Sequence, residues 1–210
     1  MTPNLMMRSG CLICWTTAVV LIAQTTAGRT AGSPGRPRSG VVRIVEEPLF
    51  VPSSLKALAL HASVIVDATV SAVQPARLVT GSNPAGGDSS WVETDSILTV
   101  SSALKSGGVT QGAKLIISQT GGRYGNLQVV TANDEIVEQG QRYILFLEPD
   151  TRPNLPTYGA LPRFDVVGIW HGRFAVVDGK IRPSPISSLP AYNNATIGSF
   201  ISEVSVALNP

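Results

Sequence analysis

Cysteine is nearly absent from this sequence. Only two of the 210 residues are cysteines, and both, Cys11 and Cys14, precede residue 28. If the chain is cleaved before Gly28, the mature protein has no cysteine, which excludes disulfides, a thiol nucleophile and a thiolate metal site. A domain of this size must then be stabilised by its hydrophobic core alone.

Charged residues are also scarce, at 14% against 43% hydrophobic residues, a balance that excludes global disorder. The net charge is +2, but four of the 16 basic residues and none of the 14 acidic ones precede Val41. Subtracting those four leaves 12 basic against 14 acidic residues, so the rest of the chain is slightly acidic. We therefore expect no binding to nucleic acid, which requires a basic surface.

The first 27 residues have the order of a secretory signal peptide: Arg8, then an apolar run over residues 11–23, then small residues before Gly28. As a helix, the run spans about 20 Å at ~1.5 Å per residue, less than the ~30 Å hydrocarbon core of a bilayer. We expect cleavage after residue 27, no membrane span thereafter, and a periplasmic or extracellular protein. Residues 28–40 (GRTAGSPGRPRSG) read as a disordered linker, and residues 41–210 as a single domain.

Glycine and proline are plentiful, with 20 and 15 residues, which favours many short strands joined by turns. Residues 64–73 alternate apolar and polar side chains, the pattern of a half-buried strand. Residues 143–147 are apolar throughout and predict a strand covered on both faces. Apolar spacing indicates a short helix after Ser53 or Ser54 and an amphipathic helix over residues 196–208, docked outside residues 143–147. These elements predict a mainly β domain, a small barrel of about six to seven strands with an N-terminal and a C-terminal helix.

The middle of the chain combines a long strand with a glycine-rich loop. Residues 91–104 alternate over more positions than most strands, so we expect a bulge near Asp95 and Ser96. The loop at residues 121–125 (GGRYG) follows a strand, as phosphate-binding loops do. However, residues 127–131 have strand composition, whereas a phosphate loop opens a helix. The loop is therefore predicted to be a turn between strands.

Catalysis is not expected, because the residues that would carry it are missing. Only two histidines are present. His61 is expected to end a helix, and His171 to be a surface turn residue in a hairpin between residues 164–170 and 173–177, around Gly172. No Gly-x-Ser-x-Gly nucleophile elbow occurs in the sequence. We predict a protein that is not an enzyme.

An acidic cluster at Asn133, Asp134, Glu135 and Glu138 precedes Gly140. Carboxylates bind hard cations such as calcium when several oxygens converge. The spacing matches no calcium loop, and acidic residues are common in turns for local reasons. We therefore predict no metal site and no cofactor.

The order of several motifs resembles exported bacterial proteins of unknown function. The motifs are "ASVIVDATVSAV", "LKSG", "GQRYILFLEPD" and "FDVVGIWHGRFAVVDGKI", within residues 55–181. The resemblance implies a small, closed or partly open OB-like β-barrel, distantly similar to netrin/TIMP-like modules. TIMP-like inhibitors act through an N-terminal cysteine, and here a glycine-rich linker stands at that end. The resemblance therefore does not carry that mechanism.

A non-catalytic binding module follows as the leading functional hypothesis, with an unknown protein or glycan outside the cytoplasm as partner. Five residues are candidates for an aromatic and cationic ligand surface on the loops: Trp91, Arg123, Tyr124, Tyr158 and Trp170. One alternative is an extracellular protease inhibitor that acts through the proline-rich loop of residues 152–162. A second alternative is an uncharacterised hydrolase.

Overall fold

The computed structural model describes residues 40–82, 88–152, 155–156 and 158–209. The predicted signal peptide and almost all of the predicted linker lie outside these residues. The described residues form eleven strands, two α-helices and a 3₁₀ turn at Pro190–Tyr192. The strands are β1 (Gly40–Ile44), β2 (Val64–Val73), β3 (Arg77–Ser82), β4 (Asp88–Lys105), β5 (Lys114–Thr120), β6 (Gly122–Tyr124), β7 (Leu127–Thr131), β8 (Arg142–Pro149), β9 (Arg163–Val166), β10 (Arg173–Val177) and β11 (Lys180–Pro183). The helices are α1 (Leu55–His61) and α2 (Ile197–Leu208).

The described residues form a mainly β barrel, with 46% of them in strands and 14% in helices, the 3₁₀ turn included. Five strands close the ring in the order β2-β4-β5-β9-β8, because β8 pairs with both β9 and β2. All pairs in the ring are antiparallel except β5 with β9. The expected number of six to seven barrel strands is too high. The additional strands extend the ring through β10 and β11 beyond β8, add β3 to β4, or form a separate sheet, β1-β7-β6.

The barrel interior is an apolar core to which all five ring strands contribute. Its members alternate along each strand, as in Val64, Val66 and Ala68 of β2. A second core lies on the outside of β2, β8 and β10 and beneath both helices. Because β8 separates the two cores, its residues 143–147 are buried on both faces, as predicted.

Both helices begin at side-chain caps. Ser54 accepts a hydrogen bond from the amide of Ala57 at the start of α1, and Thr196 accepts one from Ser199 at the start of α2. The ring of Phe200 in α2 packs edge-on against Phe146 of β8, with centroids 6.5 Å apart. Helix α2 thus covers the outer face of β8.

The predicted hairpin of residues 164–170 with 173–177 is wrong. Strands β9 and β10 do not pair with each other, because both pair with β8, β9 near its end and β10 near its start. Residues 167–172 form the tight connection between them. There Gly172 lies where a Cβ atom would be 2.6 Å from the Val167 carbonyl oxygen and 2.9 Å from the Phe146 carbonyl oxygen. Only glycine fits this close approach of backbone segments.

The expectation of an exposed His171 is also wrong. Its side chain is only 4% exposed, and its Nδ1 accepts a hydrogen bond of 3.0 Å from the Ser188 amide. Burial lowers the pKa of His171. The turn that contains His171 is covered by residues from the C-terminal part of the chain, such as Ser188. The local sequence around His171 does not reveal this contact.

Strand β4 is irregular, but not at Asp95 and Ser96, where its register with β5 is continuous. The register shifts lie instead along its pairing with β2, between Ile65 and Val66, Asp67 and Ala68, and Val70 and Ala72. The last of these shifts is opposite Ile97 and Leu98, next to the expected position, and its extra residue, Ser71, belongs to β2 rather than to β4. Shifts at these positions let one long strand pair with β2 and β5 around the barrel curve.

The glycine-rich loop is a connection between strands, as predicted. Gly121 joins β5 to β6, and the turn at Gly125 and Asn126 leads into β7, which pairs with β6 as a hairpin. A Cβ atom on Gly122 would lie 2.2 Å from Thr94 Oγ1, so this position also requires glycine. Thr94 therefore packs directly against the loop, and the loop is followed by a strand rather than by the start of a helix.

Candidate functional site

A polar surface lies on the outer face of β4. Thr94 and Ser96 alternate with Glu93 and Asp95, and all four are buried. Ser96 is opposite Ile117, which belongs to the interior core, so Glu93 and Asp95 face outward. Their burial on an outer face requires other groups to cover them.

Asp95 is held by two arginines and a hydroxyl. Arg163 donates two hydrogen bonds, of 2.8 and 2.7 Å, and Arg77 donates two of 3.1 Å. Ser118 on β5 donates a fifth, of 2.9 Å. Burial by itself raises the pKa of Asp95, but the donors Arg163, Arg77 and Ser118 outweigh it and hold the pKa well below its ordinary value. Asp95 is therefore an ionised anchor rather than a proton acceptor.

Glu93, opposite Arg77 on β3, is the second anchor. It accepts hydrogen bonds from Arg77 at 2.8 Å and from the indole Nε1 of Trp91 at 2.9 Å. Arg152 donates a further hydrogen bond to it. Glu93 thus links the edge strand β3 to the segment that follows β8.

Arg152 also contacts two more carboxylates. It donates to Asp150 through Nε at 2.9 Å and Nη2 at 2.8 Å, and its Nη2 lies 3.5 Å from Asp165 on β9. Burial, followed by the neighbouring charge of Asp150, raises the pKa of Asp165 to about 7, and Arg152 offsets this only in part. The Asp165 side chain is still 41% exposed, so water reaches its carboxylate.

Two connections of the barrel meet over this surface. The connection from β2 to β4 supplies β3 with Arg77. The connection from β8 to β9 supplies Arg152, Pro156 and Tyr158. The Pro156 carbonyl accepts a 2.8 Å hydrogen bond from Arg163, and the Tyr158 ring centroid is 6.0 Å from the Arg163 guanidinium. We refer to this surface as the β4 face, defined by Arg77, Trp91, Glu93, Asp95, Ser118, Arg152, Tyr158, Arg163 and Asp165.

Two of the five candidate residues lie together on the β4 face. They are Trp91, which bonds Glu93, and Tyr158, which stacks beside Arg163. Arg123 and Tyr124 lie instead in the β6–β7 hairpin, where Tyr124 is 46% exposed. Trp170 is 6% exposed and packs beside His171 in the turn after β9, so it offers little surface to a ligand.

Sequence reasoning missed the charged residues of the β4 face. A signal was present, since Glu93 and Asp95 are two residues apart in a strand and must share one face. Their partners Arg77, Arg152 and Arg163 are 16 to 68 positions away along the chain. No local pattern connects residues at such separations.

The acidic cluster is placed elsewhere, in the loop before β8. Asp134 is 5% exposed, and its carboxylate lies 3.0 Å from Arg173 and 3.3 Å from the Gln119 amide nitrogen. Burial raises the pKa of Asp134, which Arg173 and Gln119 only partly offset. Beside the loop is a cleft of about 220 Å³ lined by Glu138, Arg173 and other residues. Within the described part of the chain, no group of three or more metal-binding side chains is arranged to hold an ion.

No model of a protein family matches this sequence, and no curated protein matches it significantly. Between residues 40 and 209, with the gaps given above, neither helix has the length and apolarity needed to cross a bilayer.

Proposed function

We propose that this protein is an exported, non-catalytic binding module built on an OB-like barrel, with a protein or glycan outside the cytoplasm as its partner. Numbered along the chain, the ring strands pair in the order 1-2-3-5-4 and the third and fifth are parallel. That order supports an OB-like barrel, a fold that binds oligosaccharides and oligonucleotides on one face and its adjoining loops. The motif resemblance to exported OB-like proteins is consistent with this proposal.

The observation that carries the proposal is the meeting of two connections over the β4 face. In OB-like barrels, the ligand face comprises the second and third strands, flanked by the loops between strands one and two and between four and five. Here these strands are β4 and β5, and the flanking loops contribute Arg77 and Arg152. Aromatic rings with nearby hydrogen-bonding groups suit a sugar or a protein side chain.

A binding role also fits the chemistry of the face better than catalysis. The carboxylates Glu93 and Asp95 are saturated by guanidinium donors, so neither is poised to abstract a proton or attack a substrate. The most exposed charged groups of the face are Arg152 and Asp165. Such groups recognise a ligand by hydrogen bonding and charge.

Export is proposed from the order of the first 27 residues, which leads to a periplasmic or extracellular location. Expression of the full chain with a C-terminal epitope, followed by fractionation, checks this directly. A cleaved product beginning near Gly28 in the periplasm or medium is expected. An uncleaved protein in the cytoplasm would contradict it.

Binding is tested by probing a glycan array and capturing partners from periplasmic or culture extract with the purified domain. For any ligand bound by the native protein, Tyr158→Ala is expected to weaken affinity about tenfold, since losing one aromatic contact costs ~1–1.5 kcal/mol. Tyr124→Ala is the matched control, because Tyr124 is exposed on a different hairpin. Unchanged binding by Tyr158→Ala would contradict a site on the β4 face. An equal loss of affinity in Tyr158→Ala and Tyr124→Ala would also contradict it, provided that both variants keep the native melting temperature.

A further inference from the structure

Arg152 is shared unequally among three carboxylates: Glu93 and Asp165 of the β4 face, and Asp150 beside it. Asp150 accepts two close hydrogen bonds from it and Glu93 accepts a third, whereas Asp165 is the loosest partner, at 3.5 Å. The side chains of Asp150 and Glu93 are 0% and 3% exposed, against 41% for Asp165. Asp165 is therefore the member of the set that can exchange a proton with water at least cost.

The charges of the network balance only when one acid is neutral. Four carboxylates (Glu93, Asp95, Asp150 and Asp165) face three guanidinium groups (Arg77, Arg152 and Arg163). A fifth carboxylate, Glu148 on β8, is directly opposite Asp165 in the β8–β9 ladder. Like charges at opposed positions of two strands are unfavourable, so the surroundings favour a neutral Asp165.

We propose that the β4 face is a proton-controlled device, in which one proton on Asp165 decides how Arg152 divides its hydrogen bonds between Glu93 and Asp165. With the proton bound, the four acids and three arginines carry no net charge, and Arg152 bonds Glu93 and Asp150. When the Asp165 carboxyl releases its proton to water, its new negative charge attracts Arg152 away from Glu93. Glu93 keeps its bonds to Arg77 and to the Trp91 indole.

The groups around Asp165 support a transition near neutral pH. Partial burial of its carboxyl group and the charges of Asp150, Glu93 and Glu148 raise its pKa to about 7, against the opposing effect of Arg152. Glu148, which is opposite Asp165, also lies 3.9 Å from His61 of α1. These are the charged or titratable groups that face Asp165 from β4, β8, the following segment and α1. Because the device involves only protein groups, it is testable on the free protein, whatever ligand the face binds.

Two-dimensional NMR of the ¹⁵N-labelled domain, between pH 5 and 9, follows the Trp91 Nε1–H and Arg152 Nε–H signals. Both are expected to move together with one midpoint near pH 7. In Asp165→Asn, this transition should disappear while the remaining spectrum is kept. In Glu148→Gln, the midpoint should move to lower pH, because one opposing charge is removed.

The matched control is Asp178→Asn, an aspartate in the β10–β11 turn whose φ of +51° suits asparagine equally well. It should leave the transition unchanged. Static Trp91 and Arg152 signals in the native protein would overturn the proposal, as would a transition that persists in Asp165→Asn. A transition that vanishes in His61→Gln but not in Asp165→Asn would assign the proton to His61, which also overturns it.

Discussion

Single residues determine where backbone segments approach each other in this barrel. At Gly172, the amide of Phe146 donates to the Gly172 carbonyl, and the Phe146 carbonyl accepts from Val167, each at 2.9 Å. These bonds fix three segments around one Cα atom. The surrounding carbonyls cannot shift without breaking ladder hydrogen bonds, so the absence of a side chain is required there.

Gly172→Ala is expected to destabilise the protein by about 2–3 kcal/mol, because its methyl group would overlap two backbone oxygens. The matched control is Gly198→Ala in α2, where nothing lies within 4 Å of the added methyl. That variant should gain about 0.5–1 kcal/mol from helix propensity. Urea unfolding of both variants checks the pair, and equal stabilities would show that the site accommodates a side chain.

At the scale of elements, β8 and α2 depend on each other. The sequence of β8 offers two apolar faces, of which the barrel interior covers one. The other face is covered through Phe200, which contacts Phe146 and lies 4.8 Å, centroid to centroid, from Phe174. An amphipathic helix of twelve residues is marginal alone in water, so docking on β8 stabilises both elements.

Phe200→Ala is therefore expected to cost about 3–5 kcal/mol, the usual effect of removing a buried phenylalanine. Val206→Ala on the same helix is the control, since Val206 is 70% exposed, and its effect should stay within about 0.5 kcal/mol. Thermal unfolding by circular dichroism measures both. Similar melting temperatures for Phe200→Ala and native protein would place α2 outside the core.

For the whole molecule, carboxyl groups of opposite behaviour determine the pH dependence of stability. Burial raises the pKa of Glu46, Asp134, Glu148 and Asp165 above their ordinary values of 4.5 and 3.8. Their contribution is complete below those values and is lost as pH rises through the folded pKa, about 7 for Asp165. Asp95 has a lowered pKa, so its contribution is present above 3.8 and is lost as pH falls below it.

We therefore expect maximal stability in mildly acidic solution, just above the ordinary carboxyl values, with a decline towards pH 8 and a separate loss in strong acid as Asp95 is protonated. Melting temperatures measured from pH 3 to 9 test the profile. In Asp165→Asn, the decline between pH 5 and 8 should become shallower. A maximum above pH 8 would contradict the directions assigned to the four carboxyl groups whose pKa is raised.

How far the sequence predicts this protein depends on the distance over which its residues interact. Strand β8, both helices and the turn role of the glycine loop follow from local periodicity and composition. The burial of residues 143–147 on both faces is predictable because every one of these five residues is apolar. The pairing of β9 and β10 with β8 does not follow from the local sequence, because two strands on either side of a glycine turn have the pattern of a hairpin.

The sequence by itself determined the mainly β class, the presence of two helices, the two-faced strand β8 and the expectation of export, because those depend on residues near one another. The closed ring and the β4 face were decided only by the tertiary structure. Pairing β8 with both β2 and β9 brings Arg152 and Arg163 against Glu93 and Asp95. A buried carboxylate is stable only when a positively charged partner is buried with it. Whether the arginines lie beside these carboxylates depends on how the strands pair to close the barrel.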